Sequence, residues 1–258
     1  MQLIKTPTKG MNDYLPRETR LREYVKGVII RAYEKNGFSM IETPAVEHIE
    51  NLTGKNGGDN EKLIFKIMKR GEKLNEAAGN DAELCDSGLR YDLTVPLSRY
   101  YANNQAKLPS PFMAMQIGNV WRADRPQKGR FRQFTQCDID ILGDSTQLAE
   151  ITLISATTGV LRELGFDNFT VRINDRRLLK VCADYCGFKP EDCDKVFITL
   201  DKMDKIGLDG VKRELVEEGF DEASVEKYVA LYENCDAVSV SEFAADRLGG
   251  NGADIAAS

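Results

Sequence analysis

Val120 to Gly143 reads VWRADRPQKGRFRQFTQCDIDILG, and this stretch decides how the rest of the chain is understood. Phe112 to Arg122 and Phe131 to Leu142 have the length and composition of two long strands separated by a polar loop, which predicts a large antiparallel hairpin. The loop itself, Arg122 to Arg132, carries five basic residues and one acidic in eleven, in a chain of net charge −6. Guanidinium groups donate two parallel hydrogen bonds to a phosphate, so several arginines around one loop suit a polyphosphate such as a nucleoside triphosphate. A charge-rich loop tip facing only water is the competing expectation.

Strand alternation sharpens the choice, because side chains two apart share a face. Cys137, Ile139 and Ile141 point one way and Gln136, Asp138 and Asp140 the other, so one face is core and the other polar. Arg122 shares parity with Ala114, Gly118 and Val120, modest side chains expected to leave room above the sheet. Carboxylates beside arginines on such a floor can receive a zwitterion, its ammonium on the acids and its carboxylate on the bases. An ordinary solvent-facing sheet side remains open on these grounds.

Outward from the hairpin, Leu21, Tyr24, Val25, Val28, Ala32 and Tyr33 recur at helical spacing and predict a helix over 17 to 36, capped near Gly37. Phe38 to Thr43 reads as a strand ending at Pro44, and Lys62 to Met68 as a second. Lys69 to Asp86 reads as a loop. Leu89 to Asp92 is expected to be a short strand running into a helix that Thr94 caps, with Pro96 tolerated in its first turn. Asp92 has a plain alternative as a helix cap or a partner of Arg90. Leu148 to Leu164 is helical, Phe169, Val171 and Ile173 alternate as a strand, and Asn174-Asp175 can cap the next helix. Beyond Phe188 the patterns are helical, notably 211 to 218 and 224 to 232. Strands and hairpins followed by helices predict an α+β fold, with domains at 1–187 and 188–258.

Composition bounds the function. With 42% hydrophobic and 29% charged residues the chain is of ordinary globular type, no apolar run approaches the ~18 residues of a membrane span, and the start lacks a secretory or transit signal, so a cytoplasmic protein is expected. Residues 206 to 258 hold twelve Asp/Glu against four Lys/Arg, a net of −8 that leaves +2 for residues 1 to 205, so charge gives no argument for a nucleic-acid partner. Cys85, Cys137, Cys182, Cys186, Cys193 and Cys235 contain no Cys-x-x-Cys pair, so no metal site is expected, and His48 is read as a surface or packing residue.

These segments resemble class II aminoacyl-tRNA synthetases, and the histidyl-tRNA synthetase family closely, over most of the chain. Lys9 to Pro16 (KGMNDYLP) looks like the family's opening, and Gly37-Phe38 to Pro44 is similar to motif 1, which builds the class II dimer interface. LRYDLTVPLSRY (Leu89 to Tyr100) is similar to the histidine-binding segment and Val120 to Gly143 to motif 2. Asn174 to Leu179 and Asp201 to Lys205 also look like family sequence, the latter within a helical insertion.

The resemblance implies a class II synthetase-type antiparallel sheet flanked by helices, with the start of that insertion after residue 187. It implies that Arg122 holds both the ATP α-phosphate and the histidine carboxylate as they react. Asp124 and Arg130 would contact ATP, and Phe134 would lie under adenine. Asp92 and Thr94 would take the α-amino group, Leu93 and Gln136 would touch the amino acid, and Asp140 would read the imidazole. The implied reaction is histidine–tRNA ligation: L-histidine and ATP give histidyl-adenylate, and the histidyl group passes to histidine tRNA. Mg²⁺ is expected with ATP, and a homodimer through motif 1. Asp92, Asp124 and Asp140 stand where relatives carry Glu, which shortens carboxylate reach. Motif 3, the second histidine-binding block with its catalytic arginine, and the C-terminal anticodon-binding domain have no counterpart before Ser258, so weak or absent histidine activation is expected of this chain. Two other expectations within the fold are a histidine-sensing regulatory subunit of ATP phosphoribosyltransferase and a truncated paralogue serving as an interaction module. The motif 2 residues Arg122, Arg130 and Phe134 speak against the sensor.

Overall fold

The computed structural model describes residues 3–53, 59–80, 83–173 and 175–233, which divide into two compact units at Phe169/Thr170. In the first unit α1 (Pro16–Lys35) begins with Pro at its first position, where the missing amide costs nothing. The Glu18 carboxylate accepts from the Leu15 amide at 3.1 Å, which closes the exposed first turn. Two short strands follow, β1 (Ser39–Met40) and β2 (Val46–His48), then α2 (Ile49–Leu52), β3 (Lys66–Met68), α3 (Glu72–Glu76), β4 (Cys85–Leu89) and α4 (Thr94–Asn104). The hairpin is β5 (Phe112–Trp121) and β6 (Gln133–Leu142), and α5 (Gln147–Glu163) completes the unit.

The hairpin has the expected antiparallel register, from Phe112 opposite Leu142 to Trp121 opposite Gln133. It joins β1 in the order β1-β5-β6, and a second antiparallel sheet has the order β2-β4-β3. The β1–β5 pairing is parallel, the one exception to the antiparallel rule among the described strands. One face of the hairpin is core: Met115, with Met113, Ile139 and Ile141, packs on Ala32, Tyr33, Ala156 and Val160 of α1 and α5. Among the described residues no helix is long and apolar enough to cross a membrane.

Several local expectations change. The strand foreseen over 38 to 43 is only β1, although the Ile41 amide still donates to Met115 O at 2.9 Å. The strand foreseen over 62 to 68 begins as a 3-10 turn (Asp59–Leu63) and is extended only in β3. Part of the expected loop from 69 to 86 forms α3 and the start of β4, and the strand expected at 89 to 92 lies earlier, as β4. No strand forms over 169 to 173: Val171 and Ile173 are exposed, and alternation cannot make a strand where, among the described residues, no neighbour supplies the ladder.

The second unit holds α6 (Arg176–Cys186), α7 (Cys193–Leu200), α8 (Met203–Glu217) and α9 (Glu222–Tyr232). Asp175 caps α6 by accepting from the Arg177 amide at 2.7 Å, as foreseen, while Asn174 lies outside the described residues. The boundary expected at 187/188 falls inside this unit. Cys182, Ala183 and Cys186 of α6 are buried in the same core as Val196, Val211, Leu215 and Tyr228 of the later helices, so α6 cannot be separated from them. That burial pushes the Cys182 and Cys186 thiols up to about 11, so both stay protonated and behave as small apolar residues. Cys235 and residues 249 to 253 lie outside the described residues. His48 is an exposed residue of β2.

Candidate active site

The second face of the hairpin carries the polar set that alternation foresees. Ala114, Gln116, Gly118 and Val120 of β5 stand directly opposite Asp140, Asp138, Gln136 and Phe134 of β6, and opposed residues share a face. The two strands differ in cover. Ala114 and Val120 are fully buried, and Ala114 packs under Leu97 of α4 and beside Phe112. A methyl group on Gly118 would come within 2.3 Å of an Arg90 guanidinium nitrogen. The small residues of β5 therefore make room for the chain's own α4 and Arg90 rather than for a ligand, which corrects the expectation of open space above them. The open part of the floor is β6, every residue of which is partly accessible.

Arg90 is structural. Its side chain is nearly buried, donates to Asn119 O at 2.9 Å and to Thr43 O at 2.7 Å, and so ties the second sheet to β5 and the end of β1. Burial pulls its pKa below the ordinary arginine value, while Glu42 acts in the opposite direction. Glu47 is likewise buried: burial opposes its ionisation, but Arg99 at 2.5 Å and the His48 amide hold its carboxyl below the usual range.

Arg122 follows β5 and its Nε donates to the Tyr91 carbonyl oxygen at 2.9 Å, which fixes the guanidinium at the mouth of the β4–α4 connection. Its central carbon stands 5.1 Å from the centre of the Phe134 ring, so cation and ring occupy the same face. Asp92 does cap α4, its Oδ1 accepting from the Val95 amide at 3.1 Å. Thr94, expected as the cap, is instead the exposed first residue of the helix, and its hydroxyl makes no hydrogen bond among the described residues. The Leu93 side chain is buried and its carbonyl accepts from Gln116, so only its remaining backbone can face a ligand.

Three carboxylates sense one another across this floor. Burial, then Asp140, then Asp92 push the Asp138 carboxyl up to about 6, against the pull of Arg122. Burial and Asp92 raise Asp140 as well. Burial followed by Asp92 raises the Tyr91 phenol. The Gln136 side-chain oxygen is buried and accepts no hydrogen bond among the described residues, an orphan acceptor on this face of β6. A floor with three acids, an unpaired acceptor and one fixed guanidinium suits a ligand that brings several N–H donors and one anionic group.

The loop beyond Arg122 is closed by its own contacts. The Arg122 amide donates to Arg132 O at 2.9 Å, and Gln127 and Arg130 pair across a turn. Arg130 reaches Asp124 with Nε and Nη2 at 3.1 and 3.0 Å. The Arg132 amide donates to Gly10 O at 2.7 Å, where a side chain would strike Pro126 and Arg132, so the opening segment seats on the loop. Sequence reasoning gave Asp138 no role although its parity matched Gln136 and Asp140, and it left Tyr91 unmarked because a backbone carbonyl has no sequence signal. Among the described residues no three His, Cys, Asp or Glu side chains are grouped to hold a metal ion.

Residues 10–250 match the family described as histidyl-tRNA synthetase. The chain is 49% identical over 224 residues to a histidine–tRNA ligase of Leifsonia xyli subsp. xyli, covering 85% of this chain and 52% of that protein. It is 38% identical over 252 residues to that of Flavobacterium johnsoniae, covering 87% and 53%. It therefore spans about half the length of these curated relatives. Its fold superposes on a histidyl-tRNA synthetase from Nostoc sp. PCC 7120 with a TM-score of 0.79 at 27% identity, covering 98% of this chain and 56% of that one. A protein from Bacillus halodurans C described as an ATP phosphoribosyltransferase regulatory subunit/histidyl-tRNA synthetase shares the fold at a TM-score of 0.76 and 18% identity, covering 99% and 62%. On the family match and these identities, the chain belongs to the histidyl-tRNA synthetase family.

Proposed function

We propose that the β5–β6 floor activates L-histidine with ATP, as part of a histidine–tRNA ligase that then passes the histidyl group to histidine tRNA. The observation that carries this reading is the convergence of Arg122, Phe134, Gln136 and Asp140 on one sheet face beside Asp92 of the β4–α4 connection, with an unpaired side-chain oxygen on Gln136. In the reaction a histidine carboxylate oxygen attacks the α-phosphorus of ATP, and the bond to pyrophosphate breaks. Arg122, held by Tyr91 O, neutralises charge on both the attacking carboxylate and the α-phosphate, and no covalent nucleophile is required from the protein. Phe134 supports the adenine, and Asp124 directs Arg130 toward the nucleotide. Asp92, Thr94 and Gln136 take the ammonium beside Leu93, and Asp140 reads the ring. Mg²⁺ accompanies ATP on its phosphates, which needs at most one or two protein oxygens.

The first unit is the catalytic floor and the second the helical insertion. The protein works in the cytoplasm as a homodimer, for which the exposed Leu15, Leu21 and Tyr24 at α1 and Leu148 and Ile151 on α5 offer an apolar surface that a second copy would cover. Histidine-dependent exchange of pyrophosphate into ATP tests the reading. Slow exchange that requires histidine and disappears in Arg122→Ala is expected. Exchange driven equally by other amino acids, or indifferent to Arg122→Ala, would overturn it.

A further inference from the structure

Asp138 lies between Gln136 and Asp140 on the open face of β6, and the residues opposite these three on β5 are Gln116, Gly118 and Ala114. Gly118 and Ala114 have no donor to offer. Gln116 uses its amide on Thr43, from which it accepts at 3.0 Å, and on Leu93 O, to which it donates at 3.0 Å. Asp138 accordingly accepts no hydrogen bond among the described residues. The charged and titratable groups that act on it are Asp140 and Cys137 on its own strand, Asp92 from the β4–α4 connection, Arg122 from the end of β5 and Tyr33 of α1. A half-buried carboxylate with no donor and two like charges beside it needs either a proton or a ligand that brings one.

The geometry points to Asp138 as a specificity-determining residue of the amino-acid site: with Asp140 it forms a two-carboxylate receptor that binds the imidazole ring with a proton on both nitrogens. This rests on the reading that the floor receives histidine. Residues two apart on a strand are roughly 7 Å apart, and two hydrogen bonds of ~2.8 Å on either side of a five-membered ring span a similar distance. With the ligand carboxylate on Arg122 and its ammonium on Asp92 and Gln136, two carboxylates remain for the ring. A neutral imidazole has one N–H and satisfies one of them, whereas imidazolium has two and satisfies both.

The proton has a source. Asp138 titrates near 6 in the free site, close to the ~6.5 of an unperturbed imidazole, so carboxyl and ring hold one proton jointly once they meet. Above about pH 7, where both are deprotonated when apart, that proton is taken from solvent on binding, and affinity falls as pH rises.

The test is the dissociation constant of L-histidine for the 258-residue chain from about pH 7 to 8.5, for the wild type and Asp138→Asn. Wild-type affinity should fall close to tenfold per pH unit and that of Asp138→Asn less than about twofold. The heat of binding to the wild type in two buffers of different ionisation enthalpy should report uptake of about one proton, a readout that does not depend on the variant folding. Affinity independent of pH, no proton uptake, or a slope retained in Asp138→Asn would each overturn the role of Asp138 and leave the histidine floor standing. A wild-type chain that binds no histidine would remove the floor reading and this inference together.

Discussion

The guanidinium of Arg122 stands 5.1 Å from the centre of the Phe134 ring, across the hairpin and on the same sheet face. A ring in that place serves both the arginine and a base laid over it. Replacing Phe134 by Leu keeps apolar bulk but removes the π face, and should weaken ATP binding about threefold to thirtyfold, the equivalent of ~0.5–2 kcal/mol, with little change in stability. Phe134→Tyr should retain most of the affinity. Calorimetric titration with ATP and a thermal melt of each variant check both halves.

Asp92 combines a helix cap with a charge on the floor, and two substitutions separate these. Asp92→Ala should cost about 1 kcal/mol of stability, because the Val95 amide loses its acceptor. Asp92→Asn keeps an acceptor and should leave the urea midpoint almost unchanged, yet weaken histidine binding at least tenfold by removing a partner for the ammonium.

Gly118 is where the sheet lets Arg90 pass, with a guanidinium nitrogen 2.3 Å from where a Cβ would sit. Arg90 cannot swing aside without breaking its bonds to Thr43 O and Asn119 O. Gly118→Ala should therefore destabilise the chain by about 1–3 kcal/mol in urea unfolding. A negligible effect would mean that Arg90 does not hold the two sheets in solution.

Asp138 makes stability depend on pH in a particular direction. Its folded value of about 6 lies above the ordinary 3.8, so between these values the folded chain binds more protons than the unfolded one. The stabilisation from its protonation is complete below about 3.8 and lost as pH rises through about 6. Asp138→Asn should therefore gain in thermal midpoint over the wild type at about pH 7.5, with the gap closing toward pH 4. Glu47 is shifted the other way and acts only below the ordinary carboxylate range, so it does not obscure the comparison.

The hairpin was legible because β5 and β6 are long, alternating and bounded by a polar loop, so both parity and register followed from the residues. Shorter pieces were not. β4 is Cys-Asp-Ser-Gly-Leu, a sequence without β-branched residues that is held as the middle strand by partners on both sides. At residues 169 to 173 the pattern alternates, but none of the described strands pairs with it. The polar face was readable, but not which part of it is open: the space above Ala114 and Gly118 looked free until α4 and Arg90 filled it. The expected boundary at 187/188 and the division into compact units at Phe169/Thr170 differ because α6 is amphipathic in either setting, and only its packing against the later helices groups it with them.

In the proposed reaction one arginine, Arg122 on the β5–β6 face, serves amino acid and nucleotide together. Equilibrium dialysis of L-histidine and of ATP against the wild-type chain and Arg122→Ala tests it most directly. Saturable binding of both ligands to the wild type is expected, with a loss of at least tenfold for each in Arg122→Ala, about 1.4 kcal/mol or more. Undiminished binding of either ligand by Arg122→Ala would contradict it.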